Sequence, residues 1–437
     1  MDKTETVYEH QRITLDTNYI NIADAWQKDT RASENERKER QSFFRVGNKE
    51  LIFQQFVGVL KLGDLTIEVL PKIDKLSKSS TVWQRVLLQM LQNALNLEVK
   101  ATNNAAINLE QTTVLQFYFK WFLQEVNLLM HQGLIKKYVA KTENRTALKG
   151  KLQLQKHLMY NMVHAERFYV TYNDYNQNHV YNALIRQCLQ AVTLLAKYSS
   201  VGSEAASILN WFPECNKVAI HEKTFDRLVY HRKTERYKTA IKIAKIILLN
   251  FHPDLRGGHH DVLAIMFDMN KLWEQYVLSQ LQQASTDYTF QGQARKDFWK
   301  KNDTGRSKIV KPDIVAKVGE DTKFIIDTKW KIIDDDLNKT VSDADLKQMF
   351  VYNQLWNCKQ SILLYPGVGY EKPETGIFVD EEKFGRCSTL KISILDDYDK
   401  LKTNIGEEIE NEIKKLLPKQ PLVENSVQQS SPLILAK

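Results

Sequence analysis

The stretch Lys308–Trp330, KIVKPDIVAKVGEDTKFIIDTKW, decides how the C-terminal half of the chain folds. Apolar runs on either side of Gly319-Glu320-Asp321 predict two β-strands joined by a tight polar turn. A turn centred on Glu320 leaves Asp313 and Asp327 equally far from it along the chain. Cross-strand neighbours in such a hairpin lie opposite one another, so the two carboxylates should face each other.

The second strand also predicts which side chains share a face. Lys329 follows Asp327 by two residues and therefore projects from the same side, while Phe324 and Ile326 can be buried on the other. Asp327 interrupts a run typical of a buried strand, where a carboxylate is unfavourable unless a charge compensates for it. This favours a functional site over a surface hairpin with an ordinary Asp–Lys pair.

Two acids and an amine on one face suit metal-dependent phosphodiester hydrolysis. Asp313 and Asp327 are candidate ligands for Mg²⁺, which prefers carboxylate oxygens and keeps several waters. Lys329 could orient or deprotonate the attacking water, or offset negative charge in the transition state.

Two predicted helices flank the hairpin. The first, over 267–281, places Glu274 on the same face as Val277 and Leu281, so Glu274 is a candidate third carboxylate and metal ligand. Helical spacing alone leaves it equally open that Glu274 is a partly exposed acid at the edge of the apolar face.

The second helix should begin after Ser342, because Ser342 and Asp345 have the spacing of a capping box. It carries Gln348 and Tyr352 on one face, as candidate supporting residues for the site. Taken singly, these two would be ordinary surface and core residues.

The chain is basic, with a formal net charge of +8. One dense basic cluster just before and within the quoted stretch is a candidate DNA-binding surface, because lysine and arginine neutralise phosphates. A solvated surface remains the alternative. The cluster consists of Arg295, Lys296, Lys300, Lys301, Arg306, Lys308 and Lys311.

At 437 residues the chain should form two or three domains. We predict a mixed α+β N-terminal domain over 1–170, a helical section over 171–256, an α/β domain over 257–400 and a partly disordered tail over 401–437. The N-terminal prediction depends on a strand at 13–22, a loop or flexible insertion at 28–41, a hairpin over 51–70 and helices at 82–97 and 114–134. Helical spacing at 181–196 and 236–251 indicates the middle section, and Gly257-Gly258 should end it.

Other classes of protein fit less well. No apolar run approaches the ~20 residues of a membrane span, and the first residues lack the basic and apolar parts of a signal peptide. The four cysteines form no CxxC pair, which argues against a zinc knuckle or a disulfide framework. We therefore expect a cytoplasmic protein.

Pro312-Asp313 followed by Asp327-Thr-Lys329 resembles the PD-(D/E)xK nuclease signature, with Asp in the D/E position. Gln348-Met-Phe-Val-Tyr352 resembles the Gln-x-x-x-Tyr element of the RecB-like branch. With the segments 58–72, 148–152, 166–169 and 267–276, in this order, the chain is similar to the McrC family over residues 57–397. McrC proteins are the nuclease subunits of restriction systems directed against modified cytosine.

This resemblance implies a restriction-endonuclease-like C-terminal domain that cuts double-stranded DNA with Mg²⁺. It also implies an N-terminal domain that docks on McrB, a GTP-hydrolysing AAA+ ring that recognises the modified site, and stimulates its hydrolysis. Gly58 and Gly63 have phosphate-loop spacing, but Asp64-Leu65 replaces the required Lys-Ser/Thr, so we expect this chain to bind no nucleotide. Two alternatives stay open: a free-standing RecB-like repair nuclease, and a non-catalytic module that binds DNA or activates a motor.

Overall fold

In the computed structural model the chain forms two compact units with a mixed α/β fold. The first comprises Met1–Ser279 with Leu395–Lys402, and the second comprises Gln280–Ile394 with Thr403–Lys437. None of the described helices is both long and apolar enough to cross a membrane. The structure describes residues 3–72, 79–94, 113–252, 261–301, 305–331, 341–367 and 372–417.

The first unit contains three sheets surrounded by helices. Its strands are β1 (Lys3–Tyr8), β2 (Arg12–Thr14), β3 (Phe44–Val46), β4 (Glu50–Phe53), β5 (Phe56–Leu62), β6 (Leu65–Leu70), β7 (Lys137–Arg145), β8 (Lys151–Leu152), β9 (Phe168–Asn176), β10 (Phe251–His252) and β11 (Val262–Asp268). Its helices are α1 (Thr17–Gln27), α2 (Glu34–Phe43), α3 (Ser80–Ala94), α4 (Val114–His131), α5 (Leu154–Asn161), α6 (Val180–Leu195), α7 (Ser200–Trp211), α8 (Glu222–Asp226), α9 (Lys238–Asn250) and most of α10 (Met269–Ala284).

The main sheet of this unit has the order β1-β6-β5-β11-β10. Strands β5 and β6 form the predicted hairpin, with Leu62 opposite Leu65 across Gly63-Asp64. Gly58 in β5 has a φ of +135°, and a side chain there would collide with the Ile265 carbonyl of the neighbouring strand. The glycine is therefore explained by close strand approach.

Two N-terminal predictions were wrong. The predicted strand at 13–22 is mostly helix α1, whose buried residues Ile20, Ala23 and Trp26 recur at helical spacing. The predicted loop at 28–41 contains α2, which begins with a capping box: the Ser33 hydroxyl accepts from the Glu36 N–H, and the Glu36 carboxylate accepts from the Ser33 N–H. The high charge of this segment concealed a helix with a specific start signal.

The other predicted helices of this unit are present with small shifts at their ends. Helix α3 begins at Ser80, and its predicted end at residue 97 lies outside the described residues. Helices α4, α6 and α9 match the predictions at 114–134, 181–196 and 236–251. A third sheet, β7-β9-β8, was not predicted.

The two units divide the chain elsewhere than at residue 257. Strand β11 pairs antiparallel with β5, from Val262 opposite Leu62 to Asp268 opposite Phe56, so it completes the sheet of the first unit. The helix predicted over 267–281 accordingly begins at Met269. The predicted break at Gly257-Gly258 lies outside the described residues.

The second unit is built on one mixed sheet. Its strands are β12 (Thr289–Gly292), β13 (Lys296–Lys300), β14 (Ser307–Val310), β15 (Ile314–Val318), β16 (Asp321–Thr328), β17 (Gln360–Gly367), β18 (Glu374–Ile377) and β19 (Arg386–Ser393). Its helices are α11 (Asp343–Trp356), α12 (Glu381–Phe384) and α13 (Ile405–Leu416). The sheet order is β12-β15-β16-β17-β19-β18, in which β16, β17 and β19 run parallel. Among the described strands, β13 and β14 pair only with each other.

Helix α11 covers one face of this sheet. Its Met349, Tyr352 and Trp356 share a buried cluster with Val315 and Ile325 of the hairpin strands. The parallel pair β16–β17 is connected through α11, as parallel strands require a crossover.

Part of the predicted tail is ordered. Helix α13 buries Ile405, Ile409 and Ile413, and a side chain at Gly406 would collide with the Gln280 carbonyl. This helix is compatible with a partly disordered tail over 401–437, and its regular apolar spacing at 405–413 was not recognised in the sequence. The remaining residues of the tail lie outside the described ranges.

Candidate active site

The hairpin β15–β16 has a register that depends on a bulge. Its two-residue turn, Gly319-Glu320, places Val318 opposite Asp321, and Gly319 adopts a φ of +61°. The register shifts between Ala316 and Lys317, where Lys323 is the extra residue on β16. Beyond the bulge Ile314 lies opposite Ile326, so continuing the register by one residue brings Asp313 opposite Asp327.

The two acids are near enough to repel each other, as the predicted opposition requires, but the hairpin achieves this in another way. The turn is not centred on Glu320, and a regular hairpin from Val318–Asp321 would place Asp313 opposite Ile326. A one-residue slip moves every side chain of a strand to the other face of the sheet. The bulge at Lys323 corrects that slip, so this irregularity is part of how the site is built.

The two faces of β16 are divided as predicted. Phe324 and Ile326 are fully buried, and the Phe324 ring packs edge-on against Tyr288 and Phe290. Asp327 shares the opposite face with Ile325, beneath α11, and is only 2% exposed. A buried carboxylate needs charged or hydrogen-bonded partners, and the neighbouring elements provide them.

Asp313 is held by the strand that follows it in the sheet. Its Oδ2 accepts hydrogen bonds from the Thr328 N–H at 2.7 Å and from the Thr328 hydroxyl at 2.9 Å. The Asp313 carbonyl accepts from the Gln293 N–H at 3.0 Å. Asp313 is thus fixed at both its side chain and its backbone.

Lys329 extends the same strand and connects three acceptors. Its Nζ lies 2.7 Å from Asp327 Oδ2 and 3.2 Å from Asp345 Oδ1, and 3.4 Å from Gln348 Oε1. The Lys329 N–H donates to the Leu364 carbonyl of β17, which continues the parallel pairing past the end of β16.

Gln348 and Tyr352 connect α11 to both strands. The Gln348 amide donates to Asp327 Oδ1 at 3.2 Å and to the Tyr352 hydroxyl at 2.6 Å. The Tyr352 hydroxyl donates in turn to the Lys311 carbonyl at 2.8 Å, two residues before Asp313. One turn of helix therefore positions the two candidate supporting residues against the site.

Burial and mutual repulsion dominate the electrostatics of the two acids. Burial, together with the nearby Asp313 carboxylate, raises the pKa of Asp327 to about 7 against the opposing effect of Lys329. Burial also raises the pKa of Asp313, although the Thr328 hydrogen bonds counteract it. Both acids are thus poised to gain from a cation placed between them.

The pKa of Lys329 is also raised, but by its ion pairs rather than by burial. Burial alone would lower the pKa of Lys329, but its contacts with Asp327 and Asp345 raise that pKa above its ordinary range. The ammonium form is therefore the stable one at neutral pH. Burial likewise raises the pKa of the Tyr352 hydroxyl to about 12, so it remains a neutral hydrogen-bond donor.

Two residues of this network were not predicted from the sequence. Asp345 was recognised only for its capping-box spacing, yet it also pairs with Lys329 and, at 3.4 Å, with Lys331. Thr328 was not singled out at all. Its position between Asp327 and Lys329 was the only available signal, because its contact with Asp313 arises from strand pairing.

The donor set fits a hard divalent cation. Mg²⁺ is bound through one or two carboxylates with several waters retained. Asp313, which is partly buried, and Asp327, which is buried, offer two carboxylates whose repulsion a cation would relieve. Nowhere in the described part of the chain do three or more His, Cys, Asp or Glu side chains form a metal-binding group.

The other predicted site residues lie as follows. Glu274 is a half-buried residue of α10 and belongs to the first unit, so its role as a third carboxylate stays a prediction. All seven residues of the basic cluster are exposed, on β13–β14 and the segments that flank them. The Lys296 ammonium is engaged, because it donates to the Leu355 carbonyl at 2.6 Å and lies 5.0 Å from the Trp356 ring centroid.

These features define a two-unit mixed α/β protein with a lysine-paired acidic site on its second sheet. A chain of known structure has a similar fold, with a TM-score of 0.70, 16% identity and coverage of 95% of this chain and 100% of that chain. Its structure is a refined half-complex from a tetradecameric assembly of Thermococcus gammatolerans McrB AAA+ hexamers with bound McrC. A second match, to the cryo-EM structure of the Thermococcus gammatolerans McrBC complex, has a TM-score of 0.49 and 16% identity over 64% of this chain and 87% of that chain.

The family model for the McrBC 5-methylcytosine restriction system component matches residues 51–366. The chain belongs to this family. No curated protein sequence matches it.

Proposed function

We propose that this chain is the DNA-cutting subunit of a modification-dependent restriction complex, acting as a Mg²⁺-dependent endonuclease of the PD-(D/E)xK type. The observation that carries the proposal is the convergence of Asp313, Asp327 and Lys329 on the face of the second sheet beneath α11. Membership of the McrBC family supports the biological setting. Double-stranded DNA carrying a modified cytosine is the substrate expected of such a complex.

Some side chains of the site would bind the cation, and others position the acids or the attacking water. Asp313 and Asp327 would hold Mg²⁺, which when bound polarises a phosphate and lowers the pKa of a water. Gln348 and Thr328 keep the two acids in position. Lys329, paired with Asp327 and Asp345, would orient the attacking water or offset phosphate charge.

The partner we propose is a GTP-hydrolysing AAA+ ring of the McrB type. The Thermococcus gammatolerans structure, similar in fold to this chain, contains McrB AAA+ hexamers with bound McrC. Docking through the first unit is supported by exposed apolar side chains around β7, β9 and α5, a surface that a monomeric protein does not need. Examples are Tyr138, Leu158, Met159, Met162 and Tyr175, each more than half exposed.

The proposal is tested by reconstitution with a McrB-type AAA+ GTPase from the same organism. Full-length wild type, with GTP and Mg²⁺, should cut DNA containing methylated cytosine. Asp327→Ala should abolish cutting while leaving stimulation of GTP hydrolysis intact, because the acid and the proposed docking surface lie in different units. Asp321→Ala removes an exposed acid of the same strand and should cut normally.

Each contrary result has a definite meaning. Cutting by purified Asp327→Ala would refute the site. Cutting of unmodified DNA by wild type without the ring would identify a free-standing nuclease. If wild type stimulates GTP hydrolysis but cuts under no metal or partner condition, the chain is a non-catalytic activator.

A further inference from the structure

The hairpin β13–β14 has a surface that the proposed catalytic chemistry does not use. Phe298 is 54% exposed and Trp299 is 53% exposed, side by side on β13, and Ile309 on β14 is half-exposed. Large apolar side chains grouped on an exposed ribbon indicate a binding surface.

The ladder of this hairpin is irregular at the two rings. Asp297 pairs with Ile309 and Trp299 with Lys308, so Phe298 is an extra residue in the ladder. In a regular strand, consecutive side chains point to opposite faces. The bulge breaks that alternation at the two rings, and such irregularities re-aim side chains near functional sites.

The charge around the rings selects the class of ligand. Exposed cations flank the rings along the hairpin, whereas Asp297 is the acid on the two strands. In the ranges that the structure describes, no carboxylate pairs with Arg295, Lys300, Lys301, Arg306, Lys308 or Lys311. Exposed cations beside exposed rings match a polyanion that also offers flat apolar faces, which describes nucleic-acid bases and phosphates.

The base of the hairpin is fixed to the candidate active site. Before β13, the Gln293 N–H donates to the Asp313 carbonyl, and Ala294 is buried in the cluster beneath α11. After β14, the Lys311 carbonyl accepts from Tyr352. With five residues at ~3.3 Å each, β13 can carry its rings on the order of 10 Å from that base.

We propose that Phe298 and Trp299 stack on DNA bases that have left the duplex close to the scissile phosphate, while the neighbouring lysines hold the backbone. The inference deepens the proposed function and rests on it for the substrate. Stacking suits both rings because every base has an apolar face, and it places no demand on sequence. The hairpin would thus recognise locally opened DNA next to the acids, independently of the modified base.

The test measures binding in the full-length Asp327→Ala background, so that cutting does not interfere. Fluorescence anisotropy compares three DNAs of one sequence: a paired duplex, a duplex with a short central bubble, and a single strand. The double variant Phe298→Ala/Trp299→Ala should lose about 10-fold or more in affinity for the bubble and the single strand, but less than about threefold for the paired duplex. A 2-aminopurine in the bubble should be quenched on binding by the parent and not by the double variant.

Two further variants act as controls. Trp211→Ala removes an exposed tryptophan of the first unit, far from the basic cluster in sequence, and should bind all three DNAs like the parent. Lys300→Ala/Lys308→Ala should weaken binding to all three DNAs and reduce the salt dependence by about two charges.

Three results would overturn the inference. Unchanged affinity of the ring variant for all three DNAs would mean that the rings face a protein instead. Equal losses on paired and opened DNA would indicate contact with the intact duplex. No binding of any DNA by the parent would exclude the interface. The first two results leave the Asp327→Ala cleavage test untouched, so failure here and failure of the nuclease proposal are distinguishable.

Discussion

Hairpins β13–β14 and β15–β16 follow each other in the chain, yet they differ in which residues they bury and which they expose. In β15–β16, Asp327 is 2% exposed, and Ile325 beside it is fully buried. In β13–β14, Trp299 is 53% exposed and Ile309 is 50% exposed. The first hairpin buries charge, and the second exposes aromatic surface.

The difference follows from what lies beside each hairpin. Strands β15 and β16 are central in a six-stranded sheet, with β12 and β17 as outer neighbours and α11 across one face. Strands β13 and β14 form a two-stranded sheet of their own. An isolated two-stranded ribbon is marginally stable, so its position must be set by its anchored base. Charged residues are usually exposed and large apolar residues usually buried. Each hairpin departs from this rule at the residues for which we propose a function.

Substitution of one isoleucine in each hairpin tests whether the two hairpins differ in packing density. Ile325→Ala should lower the free energy of unfolding by about 3 kcal/mol, because it leaves a cavity in the cluster beneath α11. Ile309→Ala should change it by less than about 0.5 kcal/mol, because that side chain is half in water already. Urea unfolding of the full chain measures both.

Comparable losses in the two variants would contradict this comparison. They would mean that β14 packs against a surface of comparable density and that the rings of β13 are less available than their exposure indicates. A control with Val318→Ala, at the exposed end of β15, should resemble Ile309→Ala.

The sequence predicted those parts of the second unit that depend on local pattern. Hairpin β15–β16 was predicted from alternating apolar residues and turn residues. Helix α11, which begins after Ser342, was predicted from its capping residues, and strand β17 from its apolar run. The bulge at Lys323 was not predictable, because it compensates for a turn whose length only pairing reveals. Asp345 and Thr328 were missed for the same reason, since their contacts are made between elements.

The first unit shows the complementary failure. Its parallel pairing of β1 with β6 and the recruitment of β11 join segments distant in sequence, and no local signal specifies them. Helix α2, in contrast, had a local signal in Ser33 and Glu36 that a high charge density obscured. The long-range strand pairing could not be predicted from local sequence patterns. Helix α2 could have been predicted, but its start signal was overlooked.

The buried acid predicts an unusual dependence of stability on pH. The pKa of Asp327 is raised to about 7, so between about pH 4 and pH 7 the folded chain binds more protons than the unfolded chain. The contribution of Asp327 to stability therefore falls as pH rises through this window. The pKa of Lys329 is shifted above its ordinary range, so its contribution is constant there.

Asp327→Asn should remove this dependence. In EDTA, the variant should gain about 2–3 kcal/mol relative to wild type between pH 5 and pH 8, as measured by urea unfolding at each pH. A pH-independent difference would show that Lys329 keeps the wild-type carboxylate ionised throughout. Added Mg²⁺ should stabilise wild type more than the variant, because the cation binds the ionised acid pair.

The smallest effect should come from the other Asp–Lys pair of the same strand. Asp321 and Lys323 are also two residues apart, with Oδ2 and Nζ 3.5 Å apart, but Asp321 is 80% exposed. Water screens such a pair, so Asp321→Asn should change the free energy of unfolding by less than about 0.5 kcal/mol. The change should also be the same at pH 5 and pH 8.

A large or pH-dependent effect would mean that Asp321 matters to the bulge at Lys323, and hence to the register that brings Asp313 opposite Asp327. The Asp321–Lys323 and Asp327–Lys329 pairs have the same spacing in sequence but differ in burial. Comparing them therefore tests whether burial, rather than proximity to a lysine, raises the pKa of Asp327.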